Sequence, residues 1–503
     1  MFAESTFLRS LLIFGILVPV AVVMGYLLAT PTQFTSIALV GFFFMALSIP
    51  AWIKWHHTWL VFTWNATLIV FFMPGEPYLG FMIAAGSFFI SVLNRTLGKR
   101  DTFLHVPAVA WALICLTLVI VVTAMFTGGI GSRALGSETY GGRRYFGVFG
   151  ALLGYFALVA QRIPLERARR AAHGYFLSGV TALGSDLTYL AGPAFYFLFA
   201  IFPPTMAGLL ATTQTTMARS AGIAWSALGA FCYLIARFGL RGLFDLTRPW
   251  RSLSLAVVVV ASLFGGFRSA VITIGLIFLV QFFCEGLHRT RLLPGLLLGG
   301  LLLAAVGLAF LDKMPLSVQR SLSFLPLDVD HRARQDADAT LDWRLQMWKI
   351  TLPEVPKYLF LGKGFSYSGA DYYLTGEAVK HGLMQAYEDT LISGNYHNGV
   401  LTLIIPFGIF GTGAFVWFCI ASLHVLRRNL RFGHPELRLV NTFLLSHFIA
   451  RLIFYVFFYG QFDLDLMVFT GNVALSISLN GGVARLADRE ALHQGGPAAA
   501  PAT

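Results

Sequence analysis

Three side chains, two of them where apolar runs meet polar ones, have types suited to chemistry on a phosphorylated substrate. His397 lies in Asn395-Tyr396-His397-Asn398-Gly399, where a long polar stretch gives way to an apolar one. An imidazole with an ordinary pKa of roughly 6.5 can take a proton from a hydroxyl near neutral pH. Arg268, in Gly265-Gly266-Phe267-Arg268-Ser269, occupies a comparable boundary, while Arg344, beside Trp343, lies within the long polar stretch. A guanidinium fork grips two phosphate oxygens at once and stays charged at any working pH. Lys363, bracketed by Gly362 and Gly364, adds a point charge, with backbone amides able to face a phosphate. Each residue also has a bland reading: a snorkelling arginine, a solvated loop arginine, a helix-capping histidine.

His447, Arg451 and Tyr455 recur every four residues and so share one helix face. An arginine inside an apolar run lines a cavity or pairs with an acid, here Asp463 or Asp465. Those two acids also have the spacing of a metal pair, but the structural pairing is the stronger expectation.

The elements that must position these groups are membrane helices. Of 503 residues, 57% are apolar and only 12% charged, against about a quarter charged in soluble chains. With a mean hydropathy of +0.71, this excludes disorder, collagen, coiled coil and a compact cytosolic enzyme. The net charge of +12 needs no nucleic-acid partner, because cytoplasmic loops of membrane proteins collect Lys and Arg. Cys115, Cys232, Cys284 and Cys419 all fall in apolar runs, so neither a disulfide framework nor a metal cluster is suggested. No P-loop, serine-nucleophile motif or zinc-binding His/Glu set stands out.

A span needs roughly 20 apolar residues. Cutting at polar and Pro/Gly-rich breaks predicts an all-α polytopic membrane protein of about 14 transmembrane helices (12 to 14), with one large periplasmic loop. The expected spans are 11–29, 36–53, 57–73, 77–94, 107–126, 145–161, 187–203, 220–237, 252–266, 268–285, 293–311, 398–424, 439–459 and 464–480. With the N-terminus inside, 21 basic residues face the cytoplasm and five lie in short outer loops, Arg133, Arg143, Arg144, Arg219 and Arg268. The organisation is then 1–311 (eleven helices), 312–397 (outer loop), 398–485 (three helices) and 486–503, a low-complexity cytoplasmic tail expected to be disordered. Within the loop, Leu341, Leu345 and Trp348 share a helical face, which predicts an amphipathic helix over the membrane mouth.

Gly266-Phe267-Arg268-Ser269, Trp343-Arg344 with Trp348, Gly362-Lys363-Gly364, and Tyr396-His397-Asn398 followed by Leu401 and Gly408-Ile409-Phe410-Gly411 resemble the O-antigen ligase and polymerase superfamily of bacterial surface-polysaccharide enzymes. The likeness is one of order and of place relative to the spans, concentrated in residues 250–425. It implies a fold similar to the C-type membrane glycosyltransferases, a bacterial inner-membrane location with the active site facing the periplasm, and an inverting transfer without metal or cofactor. The implied partners are a polyprenyl-pyrophosphate glycan donor, such as an undecaprenyl pyrophosphate, and lipid A-core or another glycan as acceptor. Arg268 and Arg344 are then expected to hold the donor pyrophosphate and His397 to orient or deprotonate the acceptor hydroxyl. Lys363, Trp348, Tyr396, Asn398 and Arg451 are expected to bind substrate. A ligase moves a finished glycan and a polymerase joins repeat units; the length and span count leave the polymerase open. A lipid-linked oligosaccharide transporter is the remaining alternative, but transporters hold substrate near the bilayer midplane, whereas these candidates gather at one outer face.

Overall fold

The computed structural model describes residues 14–15, 17–26, 29, 34–73, 75–98, 103–131, 139–204, 219–383 and 388–486. Two compact units meet in sequence at Trp59 and Leu60. The first holds α1 (Leu17–Tyr26) and the larger part of α2 (Phe34–Thr63). The second carries α3 (Leu79–Thr96), α4 (Pro107–Phe126), α5 (Gly142–Leu158), α6 (Leu165–Leu177), α7 (Leu183–Ala191), α8 (Ala221–Leu243), α9 (Pro249–Phe264), α10 (Arg268–Cys284) and α11 (Leu292–Ala309). The long polar segment then folds as α12 (Leu316–Leu322), α13 (His331–Thr351), α14 (Gly369–Lys380) and α15 (Glu388–Ser393), and the chain closes with α16 (Leu401–Phe432), α17 (Arg438–Phe457) and α18 (Phe462–Asn480). A two-residue strand, β1 (Thr139–Tyr140), pairs antiparallel with β2 (Tyr367–Ser368), tying the polar segment to the turn before α5.

Among the described residues, seven helices are long and apolar enough to cross a membrane: α3, α4, α8, α11, α16, α17 (with the turn before it) and α18. This is a multi-pass membrane protein. On α11, Leu297, Leu298, Leu301, Leu302 and Val306 are all exposed, a ring of leucines that water would not tolerate and lipid would.

Several expected spans are redrawn. The spans at 36–53 and 57–73 give way to the single helix α2, because Lys54 does not interrupt it. The Lys54 ammonium lies 5.3 Å from the Trp55 ring centre, so the charge is accommodated on the helix surface without a turn. The described residues from Trp64 to Tyr78 are not helical, and Ile69 and Tyr78 pair in a bridge. The span at 187–203 breaks at Gly192 (φ +90) and Pro193 into α7 and a tight 3₁₀ turn. The pair around Gly265 and Gly266 is two helices, α9 and α10. The expected first span, 11–29, falls only partly within the described residues, while Arg9, Lys99, Arg100, Arg133, Arg489 and residues 487–503 of the tail lie outside them.

The core is built on α18, which packs against α5, α6, α16 and α17, while α10 packs against α8, α9 and α17. Alternating chain direction brings the N-terminal ends of α8, α10, α16 and α18 to the same end of the bundle, where α12 sits against α9 and α10 and α13 sits against α12. Positive ends of helix dipoles therefore share one mouth.

One helix at this mouth is broken. Pro406 and Gly408 (φ +61) interrupt α16, and residues 359–364 fill the gap. Backbone amides of Lys363 and Gly364 donate to the carbonyls of Ile405 and Pro406 at 2.8 and 2.9 Å, and Ile409 N–H donates to Leu359 O at 2.7 Å. Broken-helix backbone is thus satisfied by protein, as a low-dielectric setting requires. Gly362 (φ +84) is required here, since a Cβ on it would lie 2.1 Å from Pro406 O. Gly362→Ala is expected to destabilise the protein by about 1–3 kcal/mol from the backbone conformation alone, read as a lowered unfolding temperature in detergent.

Candidate functional site

Arg268 is the first residue of α10 and its placement begins with two glycines. Gly266 takes φ +75 to reverse the chain. A Cβ on Gly265 would fall 2.5 Å from Ala224 Cβ, so this glycine lets the turn press against α8, where Gly265 O accepts Ser220 N–H at 3.1 Å. Gly265 thus serves helix packing and Gly266 the chain reversal. Arg268 Nη2 donates to Ala337 O on α13 at 2.9 Å.

Arg344 reaches the mouth because of how α13 is rotated. Asp330 caps the helix, accepting from Arg332 N–H at 2.8 Å. Its inward stripe is Ala333, Ala337, Met347 and Thr351, with Arg344 half-buried among them. At 100° per residue this stripe lies about a quarter turn from the expected Leu341/Leu345/Trp348 face. Leu341 and Leu345 are exposed. The Arg344 guanidinium lies 5.5 Å from the Tyr459 ring centre, and its buried Nε has no protein partner. Burial lowers its pKa from the ordinary arginine value, yet a guanidinium remains charged.

His397 is held from both sides. Tyr396, 3% exposed, packs with Leu401, Ile405 and Trp348, and Trp348 Nε1 donates to Tyr396 O at 2.8 Å. Asn398 Oδ1 accepts from Val400 and Leu401 N–H at 3.1 and 3.2 Å, capping α16. Between them His397 adopts φ +49, a left-handed conformation that histidine takes more readily than most residues. Its ring lies 5.1 Å from that of Trp343 and 5.3 Å from that of Tyr459. The buried Nδ1 has no protein hydrogen-bond partner. Burial, and then the Arg344 charge beside it, hold the pKa down at about 4. His397 is neutral at working pH, with a nitrogen to spare.

The structure therefore gathers Arg268, Arg344 and His397, with Trp348, Tyr396 and Asn398 setting the backbone rather than facing the opening. Lys363 has other company: burial lowers its ammonium pKa, and its charged neighbours are Glu354 and Lys357. Its backbone amide and that of Gly364 are spent on α16 and face no ligand. Arg451 forms an ion pair with Asp465, and His447 Nδ1 meets Asn472 Nδ2 at 2.8 Å. Arg144 pairs with Asp463 at 3.2 Å and donates to the carbonyls of Ser393 and Gly394. The two acids with metal-pair spacing are thus claimed by separate arginines. Removing the Arg451 side chain would leave Asp465 buried and uncompensated, a loss of about 3–5 kcal/mol. Arg451→Ala is accordingly expected to lower the unfolding temperature far more than it changes ligand affinity.

Four residues that the sequence pattern did not single out complete the mouth. Arg219, just before α8, donates to Asp336 through Nη2 at 2.7 and 3.1 Å. Arg320 on α12 also pairs with Asp336. Tyr459, between α17 and α18, lies against both Arg344 and His397. Burial opposes ionisation of Asp336, but Arg320 and Arg219 outweigh it and hold the carboxyl below its usual range. Arg268 lies within electrostatic reach of Arg344, Arg219, Asp336 and Asp338. Four guanidiniums face two carboxylates, and among the described residues neither Arg268 nor Arg344 forms an ion pair with an acid. The arrangement can bind a compact anion and offer a neutral base beside it.

Residues 253–416 match the O-antigen ligase family model. The matched stretch, about a third of the chain, is similar to an O-antigen ligase domain. This domain contains Arg268, Arg320, Asp336, Arg344, Lys363 and His397, while Arg219, Arg451 and Tyr459 lie outside the match. The match indicates a function of the O-antigen ligase or polymerase type. No curated protein matches the chain.

Proposed function

We propose that the protein is a glycosyltransferase that moves a glycan from polyprenyl pyrophosphate to an acceptor hydroxyl, at the periplasmic face of a bacterial inner membrane, as an O-antigen ligase does. The supporting observation is the pair Arg268 and Arg344, free of ion-paired carboxylates among the described residues, beside a neutral His397 whose Nδ1 has no protein partner, all within the ligase-family domain.

The acceptor oxygen attacks the anomeric carbon as the bond from that carbon to the pyrophosphate oxygen breaks. The electron pair leaves with the pyrophosphate and inverts the centre. His397 accepts the hydroxyl proton, and Arg268 and Arg344 stabilise the charge growing on the leaving group. Pyrophosphate is already a good leaving group, so in-line placement and preorganised charge supply most of what the reaction needs. Lipid-linked glycan is the fitting donor, because the anion-binding mouth opens at the ends of membrane helices.

The test is transfer by the full-length protein in membranes, using a polyprenyl-pyrophosphate glycan. A single chain moved to lipid A-core identifies a ligase, and a ladder of repeats on the carrier lipid identifies a polymerase. Absence of both ends the proposal.

A pH profile checks the base. The neutral imidazole is the working form, so kcat/KM, which reports the free enzyme, is expected to stay level as pH falls through the ordinary histidine range and to drop only near pH 4. The kcat profile should turn at higher pH, because bound diphosphate favours the imidazolium. An inflection of kcat/KM near the ordinary value would show that His397 is solvated and carries no burial shift.

A further inference from the structure

The best-connected polar group at the mouth is one that the proposed chemistry leaves unused. Arg320 is only 3% exposed. Its Nε donates to Asp336, its Nη1 to the carbonyl of Gly266 and its Nη2 to Thr340 Oγ1 at 3.4 Å. Every nitrogen of the guanidinium thus has a protein acceptor. From α12, one side chain ties together α13 and the turn between α9 and α10, and Arg219 adds the start of α8 through the same carboxylate.

Those tie points have a particular relation to the two anion-holding arginines. Gly266 lies two residues before Arg268. Asp336 and Thr340 lie eight and four residues before Arg344 on α13, and at helical spacing all three share one face. The Arg320 knot therefore joins the base of one arginine to the helix that carries the other. Arg268 crosses the same seam through Ala337 O. Asp336 bridges the guanidiniums of Arg219 and Arg320, which would otherwise repel each other.

We propose that Arg320 and Asp336 are positioning residues that set the separation of Arg268 and Arg344, and so govern affinity for the diphosphate end of the lipid-linked donor. The proposal rests on the function given above. Neither residue is assigned contact with the substrate.

Asp336→Asn keeps the shape and removes the charge. In full-length protein matched for expression and unfolding temperature, it is expected to raise the donor KM about ten-fold while kcat stays within about two-fold, the mark of weakened uniform binding. Asp336→Glu should recover most of the loss. Thr340→Val, which removes one acceptor and preserves the ion pair, should raise KM a few-fold, and it serves if Asp336→Asn fails to fold. An unchanged KM, a lower KM, or a fall in kcat at constant KM would overturn the proposal; a lower KM would mean that Asp336 competes with the donor.

A second readout needs no activity. Spin labels on cysteines placed at the exposed positions Leu341 and Phe264, with the four native cysteines replaced by alanine, are expected to show a wider distance distribution in Asp336→Asn. If the wild-type protein neither transfers glycan nor binds undecaprenyl pyrophosphate, the functional reading falls, and the label distances decide the positioning role alone. An unchanged distribution would then end it.

Discussion

His397→Ala is expected to lower kcat by about 10²–10⁴-fold, the usual contribution of a positioned general base, with little change in donor KM. The ring is neutral and its buried Nδ1 is unpartnered, so it offers proton acceptance more than charge to the donor. His397→Gln separates the two duties a histidine performs: it can still orient a hydroxyl by hydrogen bonding but cannot take its proton, and it should recover little. The variant should remain folded, since the Asn398 cap and the Trp348–Tyr396 contact do not involve the imidazole. Equal activity of wild type and alanine variant at matched expression would remove His397 from the chemistry.

Arg268→Ala and Arg344→Ala are each expected to reduce kcat/KM by about 10²–10³-fold, the scale of losing one preorganised charge-stabilising donor. The lysine variants keep the charge and lose the planar fork, and should recover only part. The two should differ in structure. Arg268 also donates to Ala337 O, so its loss loosens α13, while Arg344 makes no such tie through its buried Nε. A greater fall in unfolding temperature for Arg268→Ala, at similar loss of transfer, is the expected signature. Activity close to wild type in both would leave the anion site without support.

The sequence made some of this legible and hid the rest for physical reasons. Arg268 and His397 could be found because each stands at a junction of apolar and polar chain, where a charged or titratable side chain needs an explanation, and Arg344 through the resemblance carried by Trp343-Arg344. Helices α4, α8 and α18 could be placed from apolar length alone. Arg320 and Asp336 could not, because both lie in a polar segment where such residues are ordinary, and only the fold reveals that a buried Arg320 meets a half-buried Asp336. Tyr459 does not stand out in the sequence, because an aromatic at a span end is ordinarily an interfacial anchor. The rotation of α13 is hidden because its inward stripe is mostly alanine, threonine and arginine, with Met347 its one large apolar residue, and hydrophobicity points instead to Leu341 and Leu345. Lys54 does not break α2 despite its charge, and Gly362 leaves room for the backbone at Pro406.

The stretch 359–364 has a practical consequence for anyone exchanging parts between related proteins. Because its amides replace the missing rungs of α16 around Pro406, the polar loop and the first three turns of that helix form one cassette. A chimera joined near residue 398 would pair a foreign loop with an unpatched break, whereas a junction beyond Gly411 moves plug and socket together.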